Sequence, residues 1–374
     1  MSGAQRVGCG ADLALSGQGR AEVRHRLMKE AGDRAASQRC PEAREQPRLE
    51  CERPTDARPT GATGARASGE IGSACGVRIA GTVDAMRFSY AEALCDPTHY
   101  LPLARAVEEA GWDGFIVPDS ICYPEVSDSK YPYTPDGNRE FLEDKPFIEP
   151  FSLIPAMGAV TSRLRFTTFV VKLPIRQPVL VAKSVASVAV MTQGRFGFGV
   201  GLSPWPEDFV VTGTDWKTRG KRIDEMIAIV RGLLRGGYFE FEGTHYRVPR
   251  IKICPVPPAP VPVLIGGHTE PALRRAARLG DGWMHAGGDH DLLVGYLRRL
   301  AELRRAYGRE REPFETHVIS LHAYTADGVR MLEDLGVTDV IVGFRDPYHM
   351  PDTPLAEKID YLRRYADDVI AAMR

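Results

Sequence analysis

The sequence predicts an α/β protein built as a (β/α)8 TIM barrel, with an insertion after strand two and a small hairpin between strands four and five. From Met86 onward, short β-rich runs alternate eight times with amphipathic helical stretches. Runs such as GFIV and VIVG are apolar at every position, which is typical of parallel strands buried on both faces. Strict alternation of this kind favours an eightfold barrel.

An open, doubly wound sheet is the alternative fold. It normally carries a glycine-rich dinucleotide turn between its first strand and helix. Gly197, Gly199 and Gly201 have a similar spacing, but they lie within a predicted strand. Strand glycines in a barrel instead allow another backbone or a flat ligand to come close.

The first two β/α units cover residues 86–160. Strand one is predicted at 86–90, and the Asp96-Pro97-Thr98 turn opens a helix that Gly111 ends. Strand two follows at 114–117. A polar segment rich in Pro and Tyr, residues 120–146, separates this strand from its helix at 149–160.

The next two units contain the clearest helical periodicity. Strand three is predicted at 164–171 with a helix at 176–191, and strand four at 195–200 with a helix at 218–234. In this last helix the apolar residues recur at helical spacing on one face. Residues 239–248 alternate around Gly243 and therefore predict a hairpin.

Four shorter units complete the predicted barrel. The strands are expected at 261–265, 282–285, 317–321 and 340–343. Their helices are expected at 269–279, 289–307, 327–335 and 355–373. Each strand is thus followed by one helix, as in an eightfold barrel.

Residues 1–85 differ in composition from the rest of the chain. They contain none of its 14 Phe, 13 Tyr or 4 Trp, so they lack the large apolar side chains that a core requires. We expect residues 1–85 to be a disordered or non-native extension, with Met86 as the natural start. Residues 86–374 are then the barrel domain.

Composition also limits the partners. A formal net charge of −1 gives no basic field for nucleic acid, and no apolar run reaches the roughly 18 residues of a membrane span. Cys95, Cys122 and Cys254 are scattered through the barrel region, with no zinc-ligand spacing. We therefore expect a cytoplasmic protein without a metal site.

Barrel active sites are built at the C-terminal ends of the strands, so the residues just after each strand are the candidates. Gly266 and Gly267 leave backbone N–H groups open to a phosphate, and Thr269 could cap the helix that follows. A tight turn would explain the same glycines. The candidates are Glu92, Asp119, Ser120, Lys172, Leu202, Ser203, Gly266, Gly267, His268, His285, Arg345 and Asp346.

Several of these segments resemble the luciferase-like monooxygenase family, in its coenzyme F420-dependent oxidoreductase branch. They run in order along the chain from Met86 to at least Trp283. The segments are GWDGFIVPD ending at Asp119, LRFTTFVVKLP at 164–174, GRFGFGVG at 194–201, RGKRIDE at 219–225, FEGTHY at 241–246, PVLIGG at 262–267 and GDGW ending at Trp283.

The resemblance implies that the barrel binds the deazaflavin F420, or FMN as the alternative. Asp119 would contact the deazaflavin, and a non-prolyl cis peptide at Phe169-Val170 would press against the back of the ring. The end of strand four, Gly201, Leu202 and Ser203, would also line the cofactor. Gly266 and Gly267 would bind its phosphate side, and Lys172 and His268 complete the predicted contacts.

One departure affects the chemistry. Several members of the family have a proton-donating His directly after the Asp, whereas this chain has Ser120 there. An acid seen after strand four in a sugar-phosphate dehydrogenase of this branch is replaced by Pro204, which argues against that reaction. Asp119, Ser120 and His285 are the predicted catalytic residues, with Glu92 as another source of a proton.

The resemblance predicts hydride transfer between F420 and a small organic substrate. The loop 120–146, with Tyr123, Tyr131 and Tyr133, would cover the pocket and select the substrate. Two alternatives remain open: an FMN-dependent monooxygenase supplied by a separate flavin reductase, and a barrel that binds a cofactor without catalysis. A homodimer is compatible with each of them.

Overall fold

Eight parallel strands form a closed barrel in the computed structural model, which describes residues 85–374 except 132, 133 and 135. Residues 1–84 of the predicted extension at 1–85, and the predicted pocket residue Tyr133, lie outside the described residues. The strands are β1 (Arg87–Ala91), β2 (Gly114–Val117), β3 (Arg165–Thr168, continued at Val171–Lys172), β4 (Phe196–Gly201), β5 (Val263–Gly266), β6 (Gly282–His285), β7 (Glu315–Ile319) and β8 (Asp339–Val342).

Each strand pairs in parallel with the next, and β8 pairs with β1, which closes the ring. Phe88 lies opposite Val340 at the junction of β1 and β8. The pairing of Phe166 with Phe196 joins β3 to β4. The predicted (β/α)8 architecture is therefore confirmed.

One main helix follows each strand. These helices are α1 (Tyr100–Glu109), α2 (Pro150–Gly158), α3 (Pro178–Met191), α4 (Arg219–Leu234), α5 (Glu270–Leu279), α6 (His290–Ala306), α7 (Ala326–Asp334) and α8 (Leu355–Tyr365, continued by a π turn at Ala366–Ile370 and a last turn at Ala371–Met373). The predicted hairpin forms between Phe239–Glu242 and Arg247–Ile251.

Local sequence signals set several of these boundaries. Asp96 Oδ1 accepts a hydrogen bond from the Thr98 N–H, so it caps the 3-10 turn that leads into α1. Gly111 has a φ of +86° directly after this helix, a conformation that glycine adopts without a steric penalty. These are the start and stop signals expected from the sequence.

A short α-helix between β4 and α4 was not predicted. It spans Pro206–Val211 between β4 and α4, and Pro206 occupies its first turn. Proline is tolerated there because the first N–H groups of a helix have no intrahelical partner. This short helix brings acidic side chains towards the mouth of the barrel.

The apolar core has two layers, because alternate residues of each strand face opposite sides. A small cluster inside the barrel contains Ile116, Leu264, Met284 and Ile341, with Ala91, Phe169, Val170 and Ile319 packed against it. The larger cluster lies between the strands and the surrounding helices and includes Phe88, Phe115, Phe166 and Phe198.

No helix of the described part of the chain has both the length and the apolar character needed to cross a bilayer.

Candidate active site

The third strand is interrupted near the C-terminal mouth of the barrel. Its pairing stops at Thr168 and resumes at Val171, and the Phe169–Val170 peptide bond between them is cis. The cis link implied by the family resemblance is thus present at the expected residues. Phe169 and Val170 are half-buried and pack on the apolar cluster inside the barrel.

Glycines in β4 and β5 leave space for the residues of β3 around this interruption. A Cβ placed on Gly199 would lie 1.9 Å from the Thr168 carbonyl oxygen, and one on Gly201 would lie 2.6 Å from Val170 Cγ2. A Cβ on Gly266 would lie 2.9 Å from Val170 Cγ1. The strand-four glycines therefore admit a neighbouring backbone and side chain, one of the two uses expected from the sequence.

Asp119 lies just beyond β2 and is held by the chain that follows the interruption. Its Oδ2 accepts a hydrogen bond of 2.9 Å from the Lys172 N–H, and its Oδ1 accepts one of 2.8 Å from Arg176 Nη2. The Asp119 side chain is only 1% exposed. Because a buried carboxylate needs a compensating charge, the ion pair with Arg176 stabilises Asp119 in this position.

A second buried ion pair lies beside the first. Lys172 Nζ is 2.8 Å from Asp208 Oδ2 and 3.4 Å from Ser120 Oγ. The Ser203 hydroxyl donates to the same oxygen of Asp208, and it accepts from the Trp205 N–H. The structure therefore brings Ser120, Lys172 and Ser203 together with Asp119, and Leu202 precedes Ser203 in the chain.

The Gly266-Gly267 turn has an open conformation at the end of β5. Gly267 has a φ of +119°, and a Cβ there would come within 3.0 Å of Ala272 Cβ. The Gly267 carbonyl accepts a hydrogen bond of 2.9 Å from Trp283 Nε1. The predicted side-chain cap by Thr269 is wrong, since its hydroxyl makes no capping bond to α5.

His268 and His285 lie close to each other, with ring centroids 4.6 Å apart. The neighbour of His285, Met284, belongs to the cluster inside the barrel, so strand alternation turns His285 outward, where it packs near Trp283 and Tyr296. The structure thus places it on the opposite face of the strand from the interior. A catalytic role for His285 stays a prediction.

Burial lowers the pKa of His285 to about 4, with a further contribution from neighbouring His268. The pKa of His268 is also lowered by burial. His285 Nδ1 lies 3.2 Å from the Ile319 carbonyl oxygen. Because its pKa is so low, the ring is neutral at physiological pH and holds no imidazolium proton to donate.

Glu92 belongs to a separate charged cluster between β1 and α8. Its Oε2 accepts from the Tyr90 hydroxyl at 2.7 Å, and its Oε1 lies 3.1 Å from Arg345 Nη2 and 3.5 Å from Lys358 Nζ. Lys358 also pairs with Asp352 at 2.6 Å. This network ties the start of α8 to the segment after β1.

The insertion after β2 packs across the mouth. Tyr131 stacks on Trp205 with centroids 5.7 Å apart, and Tyr348 lies edge-on to both Tyr131 and Phe141. Ser129 Oγ donates to the Glu207 carboxylate at 3.1 Å. The loops after β2, β4 and β8 therefore contact one another.

The sequence analysis missed Arg176 and Asp208. Both lie several residues beyond a strand end, whereas the predicted site residues follow the strand ends directly. A useful signal for Asp208 was Pro206-Glu207-Asp208, because proline followed by acidic residues is typical of a helix N-terminus. Nothing comparable marks Arg176.

The sequence profile described as luciferase-like monooxygenase matches residues 70–354 of this chain. The chain belongs to the luciferase-like monooxygenase family. The resemblance seen in the sequence motifs is thereby confirmed.

Similar proteins add detail to this assignment. An uncharacterized protein of Mycobacterium tuberculosis is 60% identical over 288 residues, covering 76% of this chain and 99% of the relative. An F420-dependent glucose-6-phosphate dehydrogenase of Nakamurella multipartita is 29% identical over 249 residues, covering 64% of this chain and 67% of the relative.

A solved structure shares the fold. The coenzyme F420-dependent tetrahydromethanopterin reductase from Methanopyrus kandleri superposes with a TM-score of 0.59, covering 78% of this chain and 100% of that protein, at 13% sequence identity. At that identity the likeness concerns the fold alone. The sequence profile therefore establishes the family, and the structural superposition independently supports the fold.

Proposed function

We propose that this protein is an F420-dependent oxidoreductase that transfers a hydride between the deazaflavin and a small organic substrate. The observation that carries the proposal is the platform at the mouth of the barrel. This platform consists of Phe169 and Val170, which pack on the apolar cluster inside the barrel. The buried Asp119–Arg176 ion pair lies beside it. A flat, largely apolar ring would stack on such a platform, with a hydrogen-bonding edge beside it.

The residues around this platform suit a phosphate-bearing cofactor. Backbone N–H groups at a glycine turn that leads into a helix favour an anion. Gly266 and Gly267 precede α5 in this way, and a Cβ on Gly267 would crowd Ala272. We therefore assign Phe169, Val170, Asp119 and Lys172 to the ring, and Gly266, Gly267 and His268 to the phosphate side.

F420 supplies a carbon that gives or takes a hydride, and the chain supplies binding and orientation. Arg176 holds the Asp119 side chain in place, so that it offers a fixed hydrogen-bond partner. The packed loops after β2, β4 and β8 would exclude water and limit the size of the substrate. Ser203 and Leu202 would border the same space.

The name of the Nakamurella relative refers to glucose 6-phosphate, but this chain differs at two functional positions. Ser120 and Pro204 replace the His and the acid that the sugar-phosphate mechanism is expected to use. The proposed substrate is therefore another small molecule. The comparisons reported above lend no support to a barrel that binds without catalysis.

Titration of the full chain with F420 and, separately, with FMN tests the cofactor. We expect F420 to bind and FMN to bind at least tenfold more weakly. Asp119→Asn removes the charge but keeps the side-chain shape, and should weaken F420 binding about tenfold, or about 1.4 kcal/mol. Asp327→Asn is the matched control, since Asp327 is 97% exposed.

Tight FMN binding together with oxygen-dependent product formation would replace this proposal with the monooxygenase alternative. Unchanged F420 affinity in Asp119→Asn would remove Asp119 from the cofactor contacts. Equal weakening in Asp327→Asn would show that the effect is general to the protein. The three results are distinguishable in one set of titrations.

A further inference from the structure

Lys172 places a buried ammonium group next to the platform. Its side chain is 7% exposed, and its Nζ contacts the Asp208 carboxylate, which is 2% exposed. Removing one member of such a pair leaves an uncompensated buried charge, so the pair is stable only when both members are present. The amine is therefore held at one point, with its N–H groups aimed by Asp208.

The backbone of Lys172 is fixed from both sides. Asp119 Oδ2 accepts from its N–H at 2.9 Å, and Arg176 Nη1 donates to its carbonyl at 3.0 Å. The Ser203 hydroxyl also donates to Asp208, and the Cys122 thiol lies 3.8 Å from Asp208 Oδ1. Lys172 thus depends on the residues that also fix Asp119.

Ser120 connects this ammonium to the mouth. Its Oγ accepts from Lys172 Nζ at 3.4 Å, and its side chain is half-buried beside Asp119. Among the residues that the structure describes, no acceptor takes the Ser120 hydroxyl hydrogen. That hydrogen can therefore be donated to a ligand in the mouth of the barrel.

We propose that Ser120 donates the proton of the hydride-transfer reaction and that Lys172, positioned by Asp208, resupplies it. The proposal rests on the proposed function above. It assigns the substrate a polar double bond, such as a ketone, an imine or an activated alkene. Lys172 acts through Ser120 and is a positioning and proton-supplying residue.

The atoms balance as follows. The substrate carbon would take a hydride, which bound reduced F420 would supply. In a ketone or imine the electron pair of the double bond then moves to the heteroatom, and in an enone it moves through the conjugated bonds to the carbonyl oxygen. That atom takes the Ser120 hydroxyl proton while an N–H of Lys172 replaces it. The uncompensated Asp208 carboxylate then favours return of a proton from water to the amine, which restores the ion pair. The substrate thus gains two hydrogens and the deazaflavin loses two electrons. In the opposite direction the same pair accepts the proton.

Four variants of the full chain, loaded with F420, test the proposal. Lys172→Met removes the ammonium, and Lys172→Arg keeps a cation for Asp208 but loses a group able to release a proton. Ser120→Ala removes the hydroxyl. Lys221→Met is the matched control because Lys221 is exposed on α4.

F420 affinity and thermal stability are measured first, without turnover. Turnover of reduced F420 is then followed with acetone and 2-cyclohexen-1-one, in water and in heavy water, with and without methylammonium. Because general acid catalysis typically contributes about 10²–10⁴-fold, we expect kcat to fall about 100-fold in both Lys172 variants and in Ser120→Ala. F420 affinity should change less than threefold in Lys172→Arg.

Methylammonium should restore at least tenfold activity to Lys172→Met and none to Ser120→Ala. A merely structural lysine would not give this pattern. The proposal is overturned if Lys172→Arg keeps wild-type kcat and an unchanged solvent isotope effect. It is also overturned if the wild type binds F420 but reduces neither probe, which leaves cofactor binding standing. Failure to bind F420 overturns the proposed function itself.

Discussion

Replacing Gly199 by alanine should destabilise the barrel by about 3 kcal/mol or more. The added Cβ would lie 1.9 Å from the Thr168 carbonyl oxygen and 2.7 Å from Met284 Sδ. Methionine can move away, but the Thr168 carbonyl belongs to β3 and cannot move without shifting the strand. Overpacking of a core typically costs about 1–3 kcal/mol, and a clash with backbone belongs at the upper end.

Thermal unfolding measures this effect. For a large domain, about 3 kcal/mol corresponds to a fall in Tm of roughly 6–12 °C. Gly295→Ala is the matched control, because Gly295 lies in α6 and a Cβ there meets no atom within 4 Å. That substitution should raise stability by about 0.5–1 kcal/mol, since alanine is the better helix former.

The reasoning would be refuted by a Gly199→Ala protein that unfolds within about 1 °C of the wild type. Such a result would mean that the backbone of β3 does not press against β4 at this point. A fall in Tm of equal size in Gly295→Ala would instead show that any added methyl group destabilises this protein. Loss of F420 affinity in Gly199→Ala at a temperature where it remains folded would link the packing to the proposed platform.

Two predictions concern pH. Burial alone would raise the pKa of Glu315, but the hydrogen bond and charge of His317 and the charges of Arg87 and Arg165 outweigh it and lower the pKa to about 2. This carboxylate therefore contributes about 3 kcal/mol above pH 5. In urea unfolding, this contribution to the free energy of unfolding should disappear as the pH falls from about 5 to below 2. His317→Gln should reduce the contribution. Equal dependence of the unfolding free energy on pH in the wild type and in His317→Gln would contradict this. Burial lowers the pKa of His285 to about 4, so its imidazole NMR signals should not shift between pH 8 and pH 5.5. A titration midpoint near pH 6.5 would contradict its buried position.

The fold could be predicted closely because its signals are local. Strand two at 114–117 and strand six at 282–285 have the predicted bounds, and the helices begin and end within two or three residues of expectation. An exception is α8, whose final turns pass through a π segment at Ala366–Ile370. The short helix at Pro206–Val211 was missed, since six residues are too few for helical periodicity.

The candidate site was only partly predictable. Asp119, Ser120, Lys172 and Ser203 were found because they follow strand ends, and the structure brings them together. Their charge partners lie farther along the chain. Which cation meets which carboxylate depends on how the loops cross the mouth, and no sequence spacing encodes that crossing.

The sequence by itself determined the alternation of strands and helices, the parallel ring and the position of the glycines in strand four. Each of these follows from periodicity, side-chain volume or backbone freedom within a few neighbouring residues. Only the tertiary structure decided that Arg176 pairs with Asp119, that Asp208 pairs with Lys172 and that His285 faces away from the barrel interior. The two ion pairs depend on burying charges between segments up to 57 residues apart, where the cost of an unpaired charge selects the partners.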